Sequence, residues 1–320
     1  METSLGKSIT PPSRWRVFVY WLTNDDRYLE HVGAHSPRAM DPWRLVPFVG
    51  MHLGCLGVLW TGISGFAVAL ALLMYVARMF FITAFYHRYF SHRAFESSRP
   101  LRFLFAVLGC TAGQRGPLWW ASHHRQHHIH SDTELDPHSP QTDTFWFSHV
   151  LWFLTRDAFS IRWGQIGDLG KIRELVWLER VDWLPLVAFA ALCFFLGDWA
   201  AATYPEWQTS GWQALVWGFF ISTTVLYHAT YTINSLAHRF GKRRFDTPDH
   251  SRNNALLAVL TLGEGWHNNH HRFPGAARQG FYWWEIDLSY LGLRLLQGLG
   301  LVWNLRPVPN NIIEAGRSQR

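Results

Sequence analysis

The sequence predicts an all-α integral membrane protein with four transmembrane helices in two hairpins and a cytosolic helical cap. Three observations lead to this fold class. The chain has 320 residues, of which only 16% are charged, against about 25% in an ordinary soluble domain. Its 19 tryptophans suit a bilayer, because Trp favours the membrane–water interface. Two apolar stretches, 45–86 and 183–233, are each long enough for two spans of about 20 residues.

Each apolar stretch is interrupted once by turn-forming or polar residues. Residues 61–64 divide the first stretch, and residues 198–206, which contain Asp198 and Pro205, divide the second. The four predicted spans are 45–61, 64–86, 183–197 and 212–233. Three other apolar runs carry interspersed charge, which predicts amphipathic segments on the membrane surface or against the cap. These runs are 101–112, 145–154 and 282–303.

Basic residues lie almost entirely on one side of the predicted hairpins. Of the 29 Lys and Arg residues, 28 lie in segments 1–44, 87–182 and 234–320, and the last is Arg78. By the positive-inside rule these three segments face the cytoplasm. We therefore expect one structural domain, in which the two apolar hairpins join a cytosolic N-terminal segment and two parts of a cap. Both termini are then cytosolic, and the protein lies in the inner (cytoplasmic) membrane.

Composition also excludes several classes of protein. Because 48% of the residues are hydrophobic and no repeat is visible, the chain is neither disordered nor collagen-like. Cys55, Cys110 and Cys193 are widely separated and form no CxxC motif, so neither a disulfide framework nor a thiolate metal site is predicted. The N-terminal residues have no apolar core followed by a small-residue cleavage site, so no signal peptide is expected. No nucleic-acid partner is expected.

The 18 histidines include clusters that we call boxes. The first box is His87 and His92, the second is His124, His127 and His128, and the third is His267, His270 and His271. Asn234 and His238 form a smaller cluster between the second and third boxes. Residues at i, i+3 and i+4 share one face of a helix, so each HxxHH box can present three imidazoles in one direction. The first pair, five residues apart, can share a metal only where its helix ends or unwinds.

All these boxes fall at the cytoplasmic ends of predicted spans or in cytosolic segments, so they can converge at one membrane face. Nine histidines exceed what one four- or six-coordinate ion can use. The sequence therefore predicts a histidine-rich dimetal site in the cap. Imidazole suits Fe, Cu, Ni and Zn alike, so the residue type does not choose the metal.

The remaining histidines are given other roles. His123, His130 and His138 lie beside the second box and are expected to support its ligands or to be surface groups. His228 lies inside the fourth predicted span, where an ionisable residue is a functional candidate by default, and its role as a ligand stays open. The others are expected to be surface or helix-terminal residues: His31, His35, His52, His149 and His250.

Further motifs surround the boxes. In chain order they are Ile82-Thr83-Ala84 before His87, Trp120 before the second box, Asp136-Pro137-His138, Phe147-Ser148-His149-Val150, Asn234-Ser235 with Ala237-His238, Phe240-Gly241, Gly263-Glu264-Gly265-Trp266 before His267, and Phe273-Pro274. With these motifs in this order, residues 40–305 resemble the membrane fatty acyl desaturases of the stearoyl-CoA (acyl-CoA Δ9) type. The resemblance suggests a bacterial member of that family.

The resemblance implies a four-span, mushroom-like fold whose cap holds a non-haem di-iron centre. The implied reaction uses O2 and two electrons to remove two adjacent hydrogens from a saturated acyl chain, giving a cis double bond and water. Asn234 would hold one iron through a water molecule, and zinc is expected to replace iron readily in preparations. The implied iron ligands are His87, His92, His124, His127, His128, His238, His267, His270 and His271.

The resemblance also implies which residues meet the substrate. The implied contacts are Gln114, Arg115, Trp120, Arg156 and Tyr75. Tyr75 and Ala71 would face the methyl end of the chain, where a bulky tyrosine would shorten the tunnel. The Δ9 position of the double bond rests on the resemblance alone.

Two residue pairs depart from the animal enzymes of the family. Their Arg-Asp pair before the second box, which helps to hold the coenzyme A head group, is replaced by Ser122 and His123. A later Arg-Lys pair corresponds to Arg156 and Asp157. Acyl-CoA stays the preferred substrate, because Arg115, Arg156 and the basic cap could meet its phosphates, with a glycerolipid-bound chain as the alternative. The sequence contains no His-Pro-Gly-Gly haem motif, so an external ferredoxin or cytochrome b5-like carrier with its reductase is expected to deliver electrons.

Two other functions stay open on the residues alone. A membrane hydroxylase or ketolase carries similar boxes, although the Asn-Ser-x-x-His and Glu-Gly-x-His-Asn-x-His-His contexts favour a desaturase. A metal transporter or sensor fits less well. Transporters place polar ligands near the bilayer midplane, whereas these boxes lie beyond the predicted helix ends.

Overall fold

The computed structural model describes residues 13–32 and 38–317, so His35 and the N-terminal residues considered for a signal peptide lie largely outside the described chain. The described chain is mostly helical. Its helices are α1 (Arg14–Leu22), α2 (Arg27–Val32), α3 (Pro42–Thr61), α4 (Gly65–Ser91), α5 (Arg99–Cys110), α6 (Pro117–His130), α7 (Arg173–Glu179), α8 (Trp183–Thr203), α9 (211–235), α10 (Ala255–Leu260), α11 (His267–Arg272), α12 (Leu288–Gly298) and α13 (Asn310–Arg317). Short 3₁₀ or π-helical turns lie at Phe147–Leu151, Trp152–Leu154, Asp157–Phe159, Trp163–Gln165 and Pro205–Trp207.

One small β element departs from the predicted all-α class. Strands β1 (Glu96–Ser97) and β2 (Val302–Trp303) pair antiparallel, with Glu96 opposite Trp303. The indole N–H of Trp303 also donates to the Glu96 carboxylate at 3.0 Å. The pair joins the segment after α4 to the segment after α12, but with two residues per strand it only fastens a fold that helix packing builds.

Within residues 13–32 and 38–317, three helices are long and apolar enough to cross a membrane: α3, α4 and α8. They correspond to the first three predicted spans. Helix α8 continues to Thr203, so the break predicted from Asp198 onward is wrong. Residues 200–202 are three alanines, and alanine is the strongest helix former, which explains why the helix ends only at Tyr204.

The fourth predicted span, 212–233, falls within the continuous helix α9, but α9 is not one of the three apolar helices. Its polar residues explain the difference. Ser222 and Thr223 accept hydrogen bonds at 2.5 and 2.6 Å from the buried guanidinium of Arg78 on α4. Polar side chains within helical bundles face the bundle interior and pair there, so α9 packs as an inner helix of reduced apolarity.

Glycines let α9 approach its neighbours closely. A Cβ on Gly197 of α8 would lie 2.2 Å from the Cβ of Ala214. A Cβ on Gly54 of α3 would lie 2.1 Å from the ring of Phe220. Small residues at helix contacts permit such approaches, and α9 therefore lies against both α3 and α8.

A buried arginine fastens the cap to α4. The Arg88 guanidinium donates to Glu264 at 3.0 Å, to Asp287 at 3.0 Å and to the carbonyl of Ala277 at 2.8 Å. Its partners lie in the segments on either side of the third box. The end of α4 and the third box are thus held in one rigid arrangement.

The predicted amphipathic segments are largely helical. Helix α5 covers most of 101–112 and α12 lies within 282–303, whereas 145–154 forms two short turns. Gly292 of α12 packs against the ring of Phe80 on α4. Exposed leucines recur three or four residues apart on α12 and its end, and so form one apolar face: Leu288, Leu291, Leu295 and Leu299. An apolar face beside the spans suits a helix lying on the membrane surface.

Candidate metal centre

The second box lies on α6, whose N-terminus is fixed by a carboxylate. Glu179 accepts hydrogen bonds from the backbone N–H groups of Leu118 at 2.9 Å and Trp119 at 3.2 Å. These bonds satisfy two free donors at the helix start and complement its dipole. From this fixed start, the three box histidines project from one face of α6.

The first box lies where α4 changes from α-helical to π-helical geometry. Residues Phe81–Ser91 are π-helical, and each π turn takes up more residues than an α-helical turn. The rings of His87 and His92 consequently lie 4.9 Å apart between centroids. The local unwinding that their five-residue spacing predicted is present.

Five histidines contributed by all three boxes form what we call the five-histidine group. Its members are His87, His92, His124, His128 and His270. One ring nitrogen of each member lies within 4.8 Å of those of all the others. The Nε2 atoms of His92 and His124 are 2.8 Å apart, and those of His128 and His270 are 2.9 Å apart.

The other four predicted histidines form the four-histidine group, with members His127, His238, His267 and His271. Their ring nitrogens also lie within 4.8 Å of one another, and the Nε2 atoms of His238 and His267 are 3.0 Å apart. The structure therefore brings together every histidine of the predicted set, and divides the set into two groups without sharing a member.

Three aspartates hold the four-histidine group from behind. The contacts between Nδ1 and carboxylate are His238–Asp132 at 2.9 Å, His127–Asp136 at 3.0 Å and His271–Asp249 at 2.7 Å. A neutral ring whose Nδ1–H donates to a carboxylate keeps its lone pair on Nε2, the atom left for a metal. His271 shows the consequence, because its buried Nε2 has no hydrogen-bond partner in the described chain. This orphaned nitrogen indicates a cation site.

Sequence reasoning missed these carboxylates as groups that orient histidines. A signal was available for Asp132 and Asp136, which follow the second box directly, since a metal-binding histidine usually donates its other N–H to a carboxylate or carbonyl. Asp249 lies 22 residues before His271 and gave no comparable local signal.

The five-histidine group has a different support. The Glu264 carboxylate contacts Nδ1 of His87 and also accepts from Arg88 at 3.0 Å. The side-chain amide of Gln279 donates to the same carboxylate at 3.0 Å. One carboxylate therefore serves both a histidine and a buried cation.

Burial sets the protonation state of most of these rings. Burial, together with neighbouring imidazoles, lowers the pKa of five of the nine grouped histidines well below 6.5: His92, His124, His128, His267 and His270. Burial also lowers the pKa of His271 to about 4, although Asp249 opposes the shift. Burial alone would lower the pKa of His127 too, but Asp136 raises it overall. Neutral imidazole is the form that binds metal, so most of the set is ready to bind at pH 7.

The donor set fits two transition-metal ions. Nine imidazoles in two groups exceed the needs of one ion, and the carboxylates behind the four-histidine group leave Nε2 atoms facing inward. Imidazole donors suit iron as well as zinc, copper and nickel. The residues present are therefore compatible with the di-iron centre that the resemblance implied.

The three histidines beside the second box occupy distinct positions. His138 stacks on His127 with 4.5 Å between ring centroids, and burial lowers the pKa of His138 to about 3. His123 is buried, with its Nδ1 3.0 Å from the carbonyl of Trp119, and His130 is partly exposed. His138 thus packs against a member of the four-histidine group. This position fits the expectation that it supports a ligand of the second box.

The other described histidines stay outside both groups. His31 and His250 are exposed, as expected. His228 contacts His52 and His149 rather than either group. His149 is buried and lies in the last turn of the short helix Phe147–Leu151, so it takes the helix-terminal one of its two expected positions.

A mostly apolar cavity adjoins the five-histidine group. Beside the histidines it is lined by Trp120, His124 and Asn234, and its wall continues over parts of α1, α3 and α8. A smaller cavity is lined by two members of each group and again by Asn234. Asn234, near the end of α9, thus faces both cavities.

Three of the five predicted substrate contacts line the larger cavity: Gln114, Arg115 and Trp120. The indole N–H of Trp120 donates to the Gln114 side-chain oxygen at 3.3 Å. The Gln114 amide donates to the Thr230 hydroxyl on α9 at 3.1 Å. A hydrogen-bonded link therefore joins α6 to α9 across the cavity wall.

Tyr75 and Arg156 are not among the residues that line this cavity in the described chain. The Tyr75 hydroxyl donates to the carbonyl of Leu260 at 2.5 Å, which ties Tyr75 to α10 and away from the cavity. The backbone N–H of Arg156 donates to the carbonyl of Ala39 at 3.0 Å, which turns its segment toward the N-terminal region. The expected contacts of Tyr75 and Arg156 with the substrate stay predictions.

Comparison with known proteins assigns the family. The sequence profile described as Fatty acid desaturase matches residues 63–291. The chain belongs to the fatty acid desaturase family. The matched stretch contains all nine grouped histidines, Asn234 and the carboxylates behind the rings, so the profile covers the whole centre described above.

Individual relatives of this fatty acid desaturase have named substrates. An acyl-CoA 5-desaturase of Anemone leveillei is 38% identical over 278 residues, covering 85% of this chain and 81% of the relative. An sn-1 stearoyl-lipid 9-desaturase of Anabaena variabilis is 36% identical over 262 residues, covering 81% of this chain and 91% of the relative. An sn-2 palmitoyl-lipid 9-desaturase of Nostoc sp. (strain 36) is 39% identical over 224 residues, covering 68% of this chain and 73% of the relative.

Family membership makes this desaturase an oxidoreductase of lipid metabolism, and its apolar helices make it a membrane protein. Desaturation is thereby favoured over hydroxylation, ketone formation or metal transport. The relatives differ among themselves in acyl carrier and in the numbered position of the double bond.

Proposed function

We propose that this desaturase introduces a cis double bond, at the Δ9 position, into a saturated acyl chain. The observation that carries the proposal is the pair of histidine groups with its two cavities. A mostly apolar cavity reaches the five-histidine group at His124, and a smaller cavity is lined by members of both groups. The balanced reaction takes up O2, two electrons and two protons, removes two adjacent hydrogens from the chain and releases two water molecules.

The proposed metal ligands are the nine grouped histidines, with Asn234 reaching one metal through a water molecule. When bound, two non-haem iron ions would supply the oxidising chemistry that alkyl C–H bonds require, with zinc able to replace them. The protein holds the imidazoles neutral and oriented, and its aspartates keep the Nδ1 protons of three rings.

The chain's own contribution to the reaction is to position the acyl chain. Trp120 stacks on His124 with 4.9 Å between ring centroids, where the cavity meets the five-histidine group. The link from Trp120 through Gln114 to Thr230 fixes the shape of this wall. An alkyl chain offers no charge to grip, so a fixed wall supplies the orientation that accelerates the reaction.

We favour acyl-CoA as the carrier, because Arg44 and Arg115 bring two cations to the cavity wall, and arginine suits phosphate recognition. A glycerolipid-bound chain is the second candidate. Ser122 and His123 are 0% and 2% exposed, so these positions present no phosphate-binding group at the surface. Two of the relatives above are named for lipid-bound substrates.

The proposed topology has four spans, α3, α4, α8 and α9, in hairpins 45–86 and 183–233. The protein would lie in the cytoplasmic membrane of a bacterium. Segments 1–44, 87–182 and 234–320, and with them both termini, would face the cytosol. The one-sided distribution of basic residues and the packing of α9 against α3 and α8 support it. Single cysteines in a cysteine-free background test it: Trp207→Cys should react with an impermeant maleimide in intact cells, and Arg243→Cys only after lysis.

An external ferredoxin or cytochrome b5-like protein with its reductase is the proposed electron source. The net charge of the chain is +6, and a basic surface raises the rate of association with acidic partners. The proposed partners are completed by the acyl substrate and the lipid bilayer, without nucleic acid.

Gas chromatography of lipids from cells that express the protein tests the proposed function. We expect new cis-Δ9 monoenes, and none from cells with a membrane-inserted His270→Ala variant. New hydroxylated chains without monoenes would reject desaturation. Defined acyl-CoA and phospholipid substrates, supplied to purified protein with a reductase system, then separate the two carriers.

A further inference from the structure

Three histidines outside the metal groups form a hydrogen-bonded row that we call the histidine file. Nε2 of His52 on α3 lies 3.0 Å from Nε2 of His228 on α9, and Nδ1 of His228 lies 3.1 Å from Nε2 of His149. One end of the file is the carbonyl of Phe48, 2.8 Å from Nδ1 of His52. The other end is the hydroxyl of Ser235, 2.9 Å from Nδ1 of His149.

The Phe48 end fixes the direction of the hydrogen bonds along the file. A carbonyl only accepts, so Nδ1 of His52 carries its proton and, in the neutral ring, Nε2 accepts. Each following ring must then donate from Nε2 and accept at Nδ1. Burial and the adjacent ring lower the pKa of His149, which keeps it neutral. Nδ1 of His149 and the carbonyl of Tyr231 both lie within hydrogen-bond distance of the Ser235 hydroxyl, at 2.9 and 3.0 Å.

The file ends beside Asn234. Ser235 follows Asn234 in the chain, and Ser148, the neighbour of His149, donates its hydroxyl to the main-chain carbonyl of Asn234 at 3.1 Å. Two successive residues of the cap thus hold two successive residues at the end of α9. We propose that the histidine file is a positioning device that fixes this end of α9, so that the Asn234 side chain keeps its place between the two cavities. The inference rests on the proposed role of Asn234 at the metal centre.

The location of the file argues against packing as its only role. His52 and His228 are half-buried on helices assigned to the membrane, where polar side chains are costly and usually functional. The two ring nitrogens of His228 contact different residues, His52 and His149. The file is therefore linear and does not converge on one ion as the metal groups do. A line of bonds from α3 through α9 to the cap instead restrains where α9 ends.

Cobalt binding by the full-length protein in lipid nanodiscs tests the proposal without turnover. His228→Phe removes both central hydrogen bonds and keeps a ring of similar size. We expect it to weaken Co²⁺ binding at one of the two positions by about tenfold, the lower end of the loss typical of residues that support metal ligands. Asn234→Ala should weaken the same position. The double variant should bind no more weakly than Asn234→Ala, because both changes act through one side chain.

The matched control is Thr224→Val. Cys55 Sγ lies 3.3 Å from the Thr224 hydroxyl, so this variant removes a hydrogen bond between the same two helices, one turn from the file, and it should leave Co²⁺ binding unchanged. His149→Asn keeps a side-chain amide that can hydrogen-bond to Ser235, and it should retain more affinity than His149→Phe.

Several outcomes would overturn the inference. They are wild-type Co²⁺ binding by an inserted His228→Phe variant, losses in His228→Phe and Asn234→Ala that multiply, or an equal loss in Thr224→Val. If His228→Phe does not insert, His52→Phe at the far end of the file carries the same comparison, with a smaller expected loss. Wild-type binding by Asn234→Ala alone would instead count against the proposed role of Asn234.

Discussion

The two histidine groups support their rings in different ways. In the four-histidine group, three aspartates each contact the Nδ1 atom of a separate ring. In the five-histidine group, the Glu264 carboxylate contacts His87 and shares its charge with the buried Arg88. A carboxylate on Nδ1 fixes the ring and makes Nε2 a stronger donor. Two sets of similar ligands therefore need not be equivalent, and we expect the four-histidine group to bind its metal more tightly.

The largest effect is expected when a ring is removed from either group. His238→Ala in the four-histidine group and His270→Ala in the five-histidine group should each abolish product formation, because both metal positions are needed. Gas chromatography measures the product, and membrane fractionation checks insertion. Full activity in either variant would remove that residue from the ligand set.

The next effect tests the aspartates. Asp249→Asn should weaken metal binding in the four-histidine group by about 10- to 100-fold, the usual cost of losing a partner behind a ligand. A chelator titration of Fe²⁺ measures the change. Asp246→Asn is the matched control, since the Asp246 side chain is 99% exposed, and it should bind as the wild type does. Equal affinities for the two variants would contradict the comparison.

Acid should destabilise the metal-free protein, and the two groups should contribute unequally. Burial lowers the pKa of a ring in the folded state, so below about pH 6.5 the unfolded chain binds more protons than the folded chain. The free energy of unfolding therefore decreases as the pH decreases. Each such ring contributes about 1.4 kcal/mol per pH unit, from about 6.5 down to its folded value, which is about 4 for His271.

His127 acts in the opposite sense. Its pKa is raised in the folded state, so its contribution to stability is fully present below its unfolded pKa and is lost as pH rises through the folded value.

Four rings of the five-histidine group have lowered pKa values, against two in the four-histidine group. Denaturant unfolding of metal-free protein across pH 5 to 7 measures the slope, and a flat profile would contradict this account.

The smallest effect is expected at Glu264. Glu264→Gln keeps an oxygen that can accept from Arg88, while Asp287 still neutralises the arginine. Metal binding in the five-histidine group should weaken by less than about tenfold, measured by the same Fe²⁺ titration. A loss as large as that of Asp249→Asn would mean that the two groups are supported equally.

The parts of the centre that were predictable from sequence depend on local spacing. The i, i+3, i+4 boxes on α6 and α11 place their rings on one helix face wherever those helices lie. The five-residue spacing of His87 and His92 required an unwound helix, and α4 supplies π-helical turns there. Boxes at the cytoplasmic ends of predicted spans or in predicted cytosolic segments were expected to converge, and the structure brings their rings together.

The missed parts depend on contacts between distant segments. Asp249 and His271 pair across 22 residues, and Asp132 and His238 across 106. The Tyr75 hydroxyl donates to the carbonyl of Leu260, 185 residues away. The polarity of α9 likewise makes sense only beside its partner α4. Spacing along the chain carries no information about such pairs.

Anomalous X-ray scattering at the iron edge, from crystals of the iron-loaded protein, tests the central claim most directly. We expect two peaks, one surrounded by the Nε2 atoms of the five-histidine group and one by those of the four-histidine group. A single peak, two peaks within one group, or iron bound away from these histidines would contradict the account.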